Sequence, residues 1–215
     1  LMLKAIIERS RRYLYHVAEE LSKRGMPLEL ALLPMVESGY DPTAVSSAQA
    51  AGMWQFIPST GRDYGLHRNA DYDARRDIVA STAAALDYLQ FLHELFGDWH
   101  FALAGYNWGE NAVLKAIERN KGKVRGTDYL SLTLPEETRN YLPKFQALKN
   151  LVAYHHAFGF ELDPIPNEPY FTTVATDHSL DLVVAARLSG APLEEITSLN
   201  PARTGTGNGA GGTRG

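Results

Sequence analysis

Apolar residues recur at three-and-four spacing through most of this chain, and strict alternation is almost absent before residue 168. That pattern constrains the fold most, because a helix face repeats about every 3.6 residues and a strand face about every two. Leu3, Ile6, Ile7, Ser10, Tyr13, Leu14, Val17 and Leu21 share one helical face, which Gly25 ends. Pro27 opens a second segment, Leu28 to about Glu37, which is apolar nearly all round and is expected to be buried. Ser59-Thr60, after Pro58, start a short helix that Gly65 stops. Asp77 is placed to cap a long helix through Ile78, Leu86, Leu89, Leu92 and Phe96, and Asp98 to cap another over Trp99 to Asn107. Val113, Leu114 and Ile117 mark a helix beyond Gly109, and Pro135 opens the last strong one, through Tyr141, Leu142, Phe145 and Val152. The first 160 residues are expected to be all-α.

The composition shifts at Asp163-Pro164-Ile165-Pro166-Asn167-Glu168-Pro169, where the prolines predict an extended linker. A short strand pattern and two helices follow, and then a Gly/Thr-rich end that should be disordered. The expected organisation is a helical domain over 1–160, a linker over 161–170, a small α/β-like appendage over 171–202 and a disordered tail over 203–215.

With 215 residues, 45% of them hydrophobic, the chain is long enough for one sizeable core. Net charge is −4 and no basic block stands out, so nucleic acid is not an expected partner. The short clusters Arg9-Ser10-Arg11-Arg12 and Arg75-Arg76 are expected on solvated helix faces. The absence of cysteine excludes a disulfide scaffold and a thiolate metal site. No run of 18 apolar residues predicts a membrane span. Leu1-Met2-Leu3 already has the pattern of a helix interior, so any signal or lipid anchor is expected upstream.

Glu37 ends the apolar segment beside Leu32, Leu33, Met35 and Val36. A helix C-terminus disfavours a carboxylate, and apolar neighbours desolvate it; both raise its pKa. A rise of about two units costs about 2.7 kcal/mol. A glutamate that stays protonated near neutrality is what a general acid needs. The plainer alternative is a surface glutamate at a helix end. The loop after it carries Ser46, Ser47 and Gln49 as hydrogen-bonding groups, and Gly52, which would let a backbone approach a ligand closely. Trp54 and Gln55 offer an apolar wall and an amide, as sugar sites do; alternatively Trp54 is a core residue. Tyr106 and Asn107 close a helix before Gly109, either facing a cleft or serving as core residue and C-cap.

Taken in order, Glu37-Ser38, Gly52-Met53-Trp54-Gln55, Gly105-Tyr106-Asn107 and "LPEETRNYLPK" at 134–144 resemble the soluble-lytic-transglycosylase domain, most closely its membrane-bound lytic murein transglycosylase D type. "AAGMWQFIPSTGRDYGL" at 50–66 and "GDWHFALAGYNWG" at 97–109 carry the same resemblance. It implies a goose-lysozyme-like, all-α catalytic domain acting on the peptidoglycan strands of a bacterial envelope, periplasmic or associated with the outer membrane. Neither cofactor nor metal is implied, and a monomer is expected. Glycosidases usually use two carboxylates, whereas this family uses one, and no second acid here has so marked a setting; Asp41 lies in a Pro turn. By the resemblance, Glu37 is the acid and base, Ser46 and Gln55 hold the muramic N-acetyl and nearby groups, Tyr106 and Asn107 orient acid and sugar, and Tyr141 is the motif tyrosine. The expected product carries a 1,6-anhydromuramic end. Two departures are Gly105, where the family has Ala and which should be harmless, and Trp108, where it has a small residue. Residues 171–202 resemble the start of a LysM-like module, or form a segment that packs on the catalytic domain. The rival functions are a lysozyme-type hydrolase on the same fold and a non-catalytic peptidoglycan-binding module.

Overall fold

The computed structural model describes residues 2–121 and 128–203. Ten α-helices run through them: α1 Met2–Ser10, α2 Leu14–Lys23, α3 Leu33–Glu37, α4 Pro58–Asp63, α5 Ile78–Phe96, α6 Trp99–Trp108, α7 Glu110–Asn120, α8 Glu136–Ala153, α9 Leu182–Ser189 and α10 Leu193–Leu199. Among the described residues β pairing is confined to isolated bridges, so the all-α expectation holds. No helix among the described residues is long and apolar enough to cross a membrane. The described residues form two compact units, Ala85–Leu162 and the residues on either side of that span.

In the first unit the expected continuous face from Leu3 to Leu21 is broken. Ser10 is buried, and its Oγ donates to Ile7 O at 2.6 Å. Serine back-bonding of this kind competes with the helical ladder, and α2 restarts at Leu14. The segment after Pro27 is also divided, into a 3-10 turn over Leu28–Leu32 and the five-residue α3. Pro34 lies in the first turn of α3, where its missing N–H costs nothing. Leu28 is 56% exposed, so that segment is not buried all round. The core holds Val17, Leu21, Leu33, Tyr40, Met53 and Trp54 with no exposed surface.

The residues after the linker belong to this unit. Arg12 makes a bidentate pair with Glu195, at 2.9 and 3.0 Å, and Tyr13 Oη donates to Ser198 O at 2.9 Å. Asp73 N donates to Ala202 O at 2.8 Å. The strand expected after the linker does not form: that stretch has no ladder partner among the described residues, and the appendage is helical rather than α/β-like. Asp181 caps α9, accepting from Val183 N at 2.7 Å. Of the tail expected to be disordered, 203–215, all but Arg203 lies outside the described residues.

The second unit packs α6 against both α7 and α8. Ala104, Val113, Ala116, Tyr129, Leu132 and Leu134 form its apolar centre. Asp98 caps α6 as expected, accepting from His100 N at 2.7 Å and Phe101 N at 3.1 Å. Gly105 is more than harmless: a Cβ there would stand 3.0 Å from side-chain atoms of Leu92 and Phe96, so glycine permits α6 to lie close to α5.

Candidate active site

In the first unit Glu37 is half-buried at the C-terminal end of α3. This helix is five residues long, so its dipole acts on Glu37 less than the longer helix expected from the sequence. Leu33, Pro34 and Met35 are buried in the same helix, while Leu32 and Val36 are half-buried. The chain then reverses. Ser38 N donates to Pro34 O at 3.0 Å, Gly39 adopts φ 63° and Arg9 Nε donates to Gly39 O at 2.8 Å. Tyr40, fully buried, donates through its hydroxyl to Ala31 O at 2.7 Å.

Ser38 ties the acid to the loop that follows. Its Oγ lies 2.8 Å from Met53 O and donates to it. Gly52 N donates to Ala44 O at 3.0 Å, and Ala51 and Phe56 exchange two backbone bonds. Ser46 closes a turn: its N donates to Ala50 O at 2.9 Å, and its Oγ accepts from Ala50 N at 3.1 Å. A hydroxyl that accepts still has its own proton to give, so Ser46 can donate to a ligand. Gln55 Nε2 donates to Gly52 O at 2.7 Å and Ala44 O at 3.3 Å. Two carbonyl neighbours demand the NH₂ end, which leaves Oε1 as the acceptor this side chain can offer. The loop thus offers a donor at Ser46 and an acceptor at Gln55.

The non-glycine residues with positive φ among those described are Tyr40 at 59°, Gln49 at 61° and Gln55 at 55°, all in this stretch. Left-handed backbone at such residues persists only where the surroundings hold it. At Gln49, and at Phe56 beside Gln55, what holds it is Arg75. Expected on a solvated helix face, Arg75 is only 3% exposed. Its guanidinium pairs with Asp73, at 2.7 Å from Nη2 and 3.0 Å from Nε, and Nη1 donates to Gln49 O at 2.7 Å and Phe56 O at 3.0 Å. Burial opposes the charge on Asp73, yet the Arg75 hydrogen bonds win and hold the carboxyl below its ordinary pKa. The sequence signal for this role was faint: a carboxylate two residues before an arginine inside an irregular segment.

One other expectation is corrected, and the alternative left open for Trp54 is decided in favour of the core. Gly52 serves a close approach, but the backbone it admits is that of Arg75, not a ligand. Trp54 is not a sugar-facing wall: it has no exposed surface, and its Nε1 donates to Thr82 Oγ1 at 3.0 Å. An indole with its one donor satisfied inside the core is a packing residue.

The second unit holds Tyr106, Asn107 and Tyr141. Tyr106 is half-buried and lies against Tyr88, ring centroids 5.6 Å apart. Tyr88 donates to Glu110 Oε2 at 2.9 Å. Asn107 is not only a helix end: its Oδ1 accepts from Thr138 Oγ1 at 2.8 Å, and its Nδ2 lies 3.3 Å from Glu137 Oε1. Thr138, buried on α8, was not singled out from the sequence. Tyr141 is buried one turn further along the same helix. Trp108 packs on the apolar centre of this unit and borders a surface depression of about 440 Å³ with Glu110, Lys115 and Arg119. Asp41, the nearest acid to Glu37 in sequence, is engaged in its own turn, accepting from Thr43 N at 2.8 Å and Thr43 Oγ1 at 2.7 Å.

The model of the transglycosylase SLT domain matches residues 15–128, more than half of the chain. The membrane-bound lytic murein transglycosylase D of Escherichia coli (strain K12) is 43% identical over 205 residues, 95% of this chain and 45% of that protein. A membrane-bound lytic murein transglycosylase C of Glaesserella parasuis serovar 5 is 32% identical over 161 residues, covering 63% of this chain and 44% of that protein. The chain therefore spans less than half the length of these relatives.

Proposed function

The chain belongs to the transglycosylase SLT family, and on that premise we propose that it is a lytic transglycosylase of the bacterial cell envelope. It cleaves the β-1,4 bond between N-acetylmuramic acid and N-acetylglucosamine in peptidoglycan. The observation that carries this reading is the bond from Ser38 to Met53 O, which fastens the turn after Glu37 to the loop bearing Ser46 and Gln55.

Glu37 gives its proton to the bridging glycosidic oxygen as the bond from that oxygen to the muramic C1 breaks. The carboxylate so formed takes the proton of the muramic 6-hydroxyl, whose oxygen closes on C1. The products are a free 4-hydroxyl on N-acetylglucosamine and a 1,6-anhydromuramic end; the proton returns to Glu37 and no water is consumed. One carboxyl group suffices because the substrate carries its own nucleophile. Ser46 donates to the N-acetyl carbonyl and Gln55 Oε1 accepts its N–H. Tyr106, Asn107 and Tyr141 are assigned to sugar binding on the second unit, with Thr138 holding the Asn107 amide.

Digestion of peptidoglycan in heavy-oxygen water, followed by mass spectrometry of the fragments, tests the proposal. Unlabelled anhydro ends are the expected result. One heavy oxygen per cut at the muramic C1 would make the enzyme a lysozyme-type hydrolase, and release of no fragments would leave a binding module.

A further inference from the structure

At the end of α8 the chain makes a 3-10 turn over His155–Phe158, and Gly159 turns it back with φ 78°. Gly159 N donates to His156 O at 3.0 Å and Phe160 N to His155 O at 3.2 Å, so backbone bonds close the loop. Closure brings Glu161 beside the two histidines. One potential ligand atom from each of His155, His156 and Glu161 lies within 4.8 Å of the other two. The two imidazole centroids are 3.9 Å apart.

The hydrogen bonds fix which nitrogens are presented. His155 Nδ1 stands 3.1 Å from Phe160 O; a carbonyl only accepts, so Nδ1 carries the proton and Nε2 has the lone pair. A ring N–H given to a backbone carbonyl is the usual way a metal-ligating histidine is oriented. His156 Nδ1 donates to Glu161 Oε1 at 2.8 Å. That pair is an ordinary surface contact as it stands. It is also two donor atoms already converged, whose separation needs to open only slightly to take a cation at about 2.0–2.2 Å from each.

We propose that His155, His156 and Glu161 form a binding site for a divalent transition cation of the zinc class. The cation replaces the proton shared by His156 Nδ1 and Glu161 Oε1, and His155 Nε2 supplies the third bond. Two imidazoles and one carboxylate favour zinc, copper or nickel over calcium and magnesium, which take all-oxygen shells. His156 and Glu161 are exposed, so they can adjust by side-chain rotation alone, and water completes the shell. No sequence pattern pointed to a metal: the ligands stand together because the turn at Gly159 folds Glu161 back. The cation fastens the end of α8 to the segment leading into Asp163. It is separate from the chemistry assigned to Glu37.

The test is isothermal titration of the whole chain with zinc chloride, repeated with calcium chloride, on the wild type and on His156→Ala, Glu161→Gln and His178→Ala. His178 is an exposed histidine elsewhere and serves as the control. The expected result is one zinc per chain, binding weakened at least about 10-fold in His156→Ala and Glu161→Gln, no change in His178→Ala and no calcium binding. Zinc should also raise the thermal midpoint of the wild type but not of His156→Ala. Absence of zinc binding, equal binding in all four proteins, or binding of calcium in place of zinc would each overturn the proposal.

Discussion

The carbonyl oxygen of Arg75 occupies the space that a Cβ on Gly52 would need. Gly52 also has φ 84°, so a side chain there meets both strain and overlap. Gly52→Ala should destabilise by more than about 2 kcal/mol, the backbone penalty alone being about 1–2. Gly65 is the control: its φ is 75°, but a Cβ there would meet nothing within 4 Å. Gly65→Ala should cost only that backbone penalty, about 1–2 kcal/mol. Urea unfolding of both variants measures the difference, and equal costs would show that the Arg75 backbone yields.

Arg75 should be among the least replaceable surface-looking residues in the chain. Arg75→Met strips a buried guanidinium from Asp73 and from two loop carbonyls, with an expected cost of about 3–5 kcal/mol at pH 7. Asp73 in the wild type is held below its ordinary pKa. Its contribution is therefore complete above the unfolded value of about 3.9 and is lost as pH falls through the folded one. In Arg75→Met the buried carboxyl gains by protonation instead. The gap in unfolding free energy between the two proteins should narrow from pH 7 to about pH 3.5, where most unfolded aspartate is protonated. A gap that widens would sink this account.

Glu37→Gln should fold as the wild type does and keep binding glycan, with turnover down at least about 10²-fold. Ser38→Ala removes the bond to Met53 O but no reacting group. It should lower kcat more than it raises KM, and Ser38→Thr should restore part of the loss. Near-normal turnover in Glu37→Gln would exclude it as the acid.

His16 predicts a second pH effect, on stability. Burial pushes its pKa down, with Glu20 opposing; its Nε2 is enclosed with no partner among the described residues, beside the Phe171 ring. Below about pH 6.5 the unfolded chain takes up a proton that the folded one refuses. Stability should therefore decline as pH falls from 6.5 towards the folded value, and less so in His16→Leu. Comparing the urea midpoints of both proteins at pH 7.5 and 5.5 checks this; parallel changes would show that His16 is not the group responsible.

The cap at Asp98 and the end at Gly25 fall where sequence pattern puts them. So does the order of Glu37, Gly52, Tyr106 and the Glu-Thr-Arg-Asn-Tyr run, which led to the family. These features were legible because each is decided within a turn or two of chain: an aspartate needs only the next N–H groups, and an apolar face needs only its own periodicity.

The tertiary structure decided the rest. Arg75 is buried because Gln49 O and Phe56 O, from a separate loop, need a donor that no local pattern announces. Trp54, in a loop, is core because Thr82 on α5 receives its N–H. The strand expected after the linker does not form among the described residues, because a strand needs a partner edge and no described segment pairs with it. Propensity and capping are properties of neighbours in sequence. Burial, strand pairing and the satisfaction of a distant carbonyl depend on which segments meet, and that is settled only when the whole core closes.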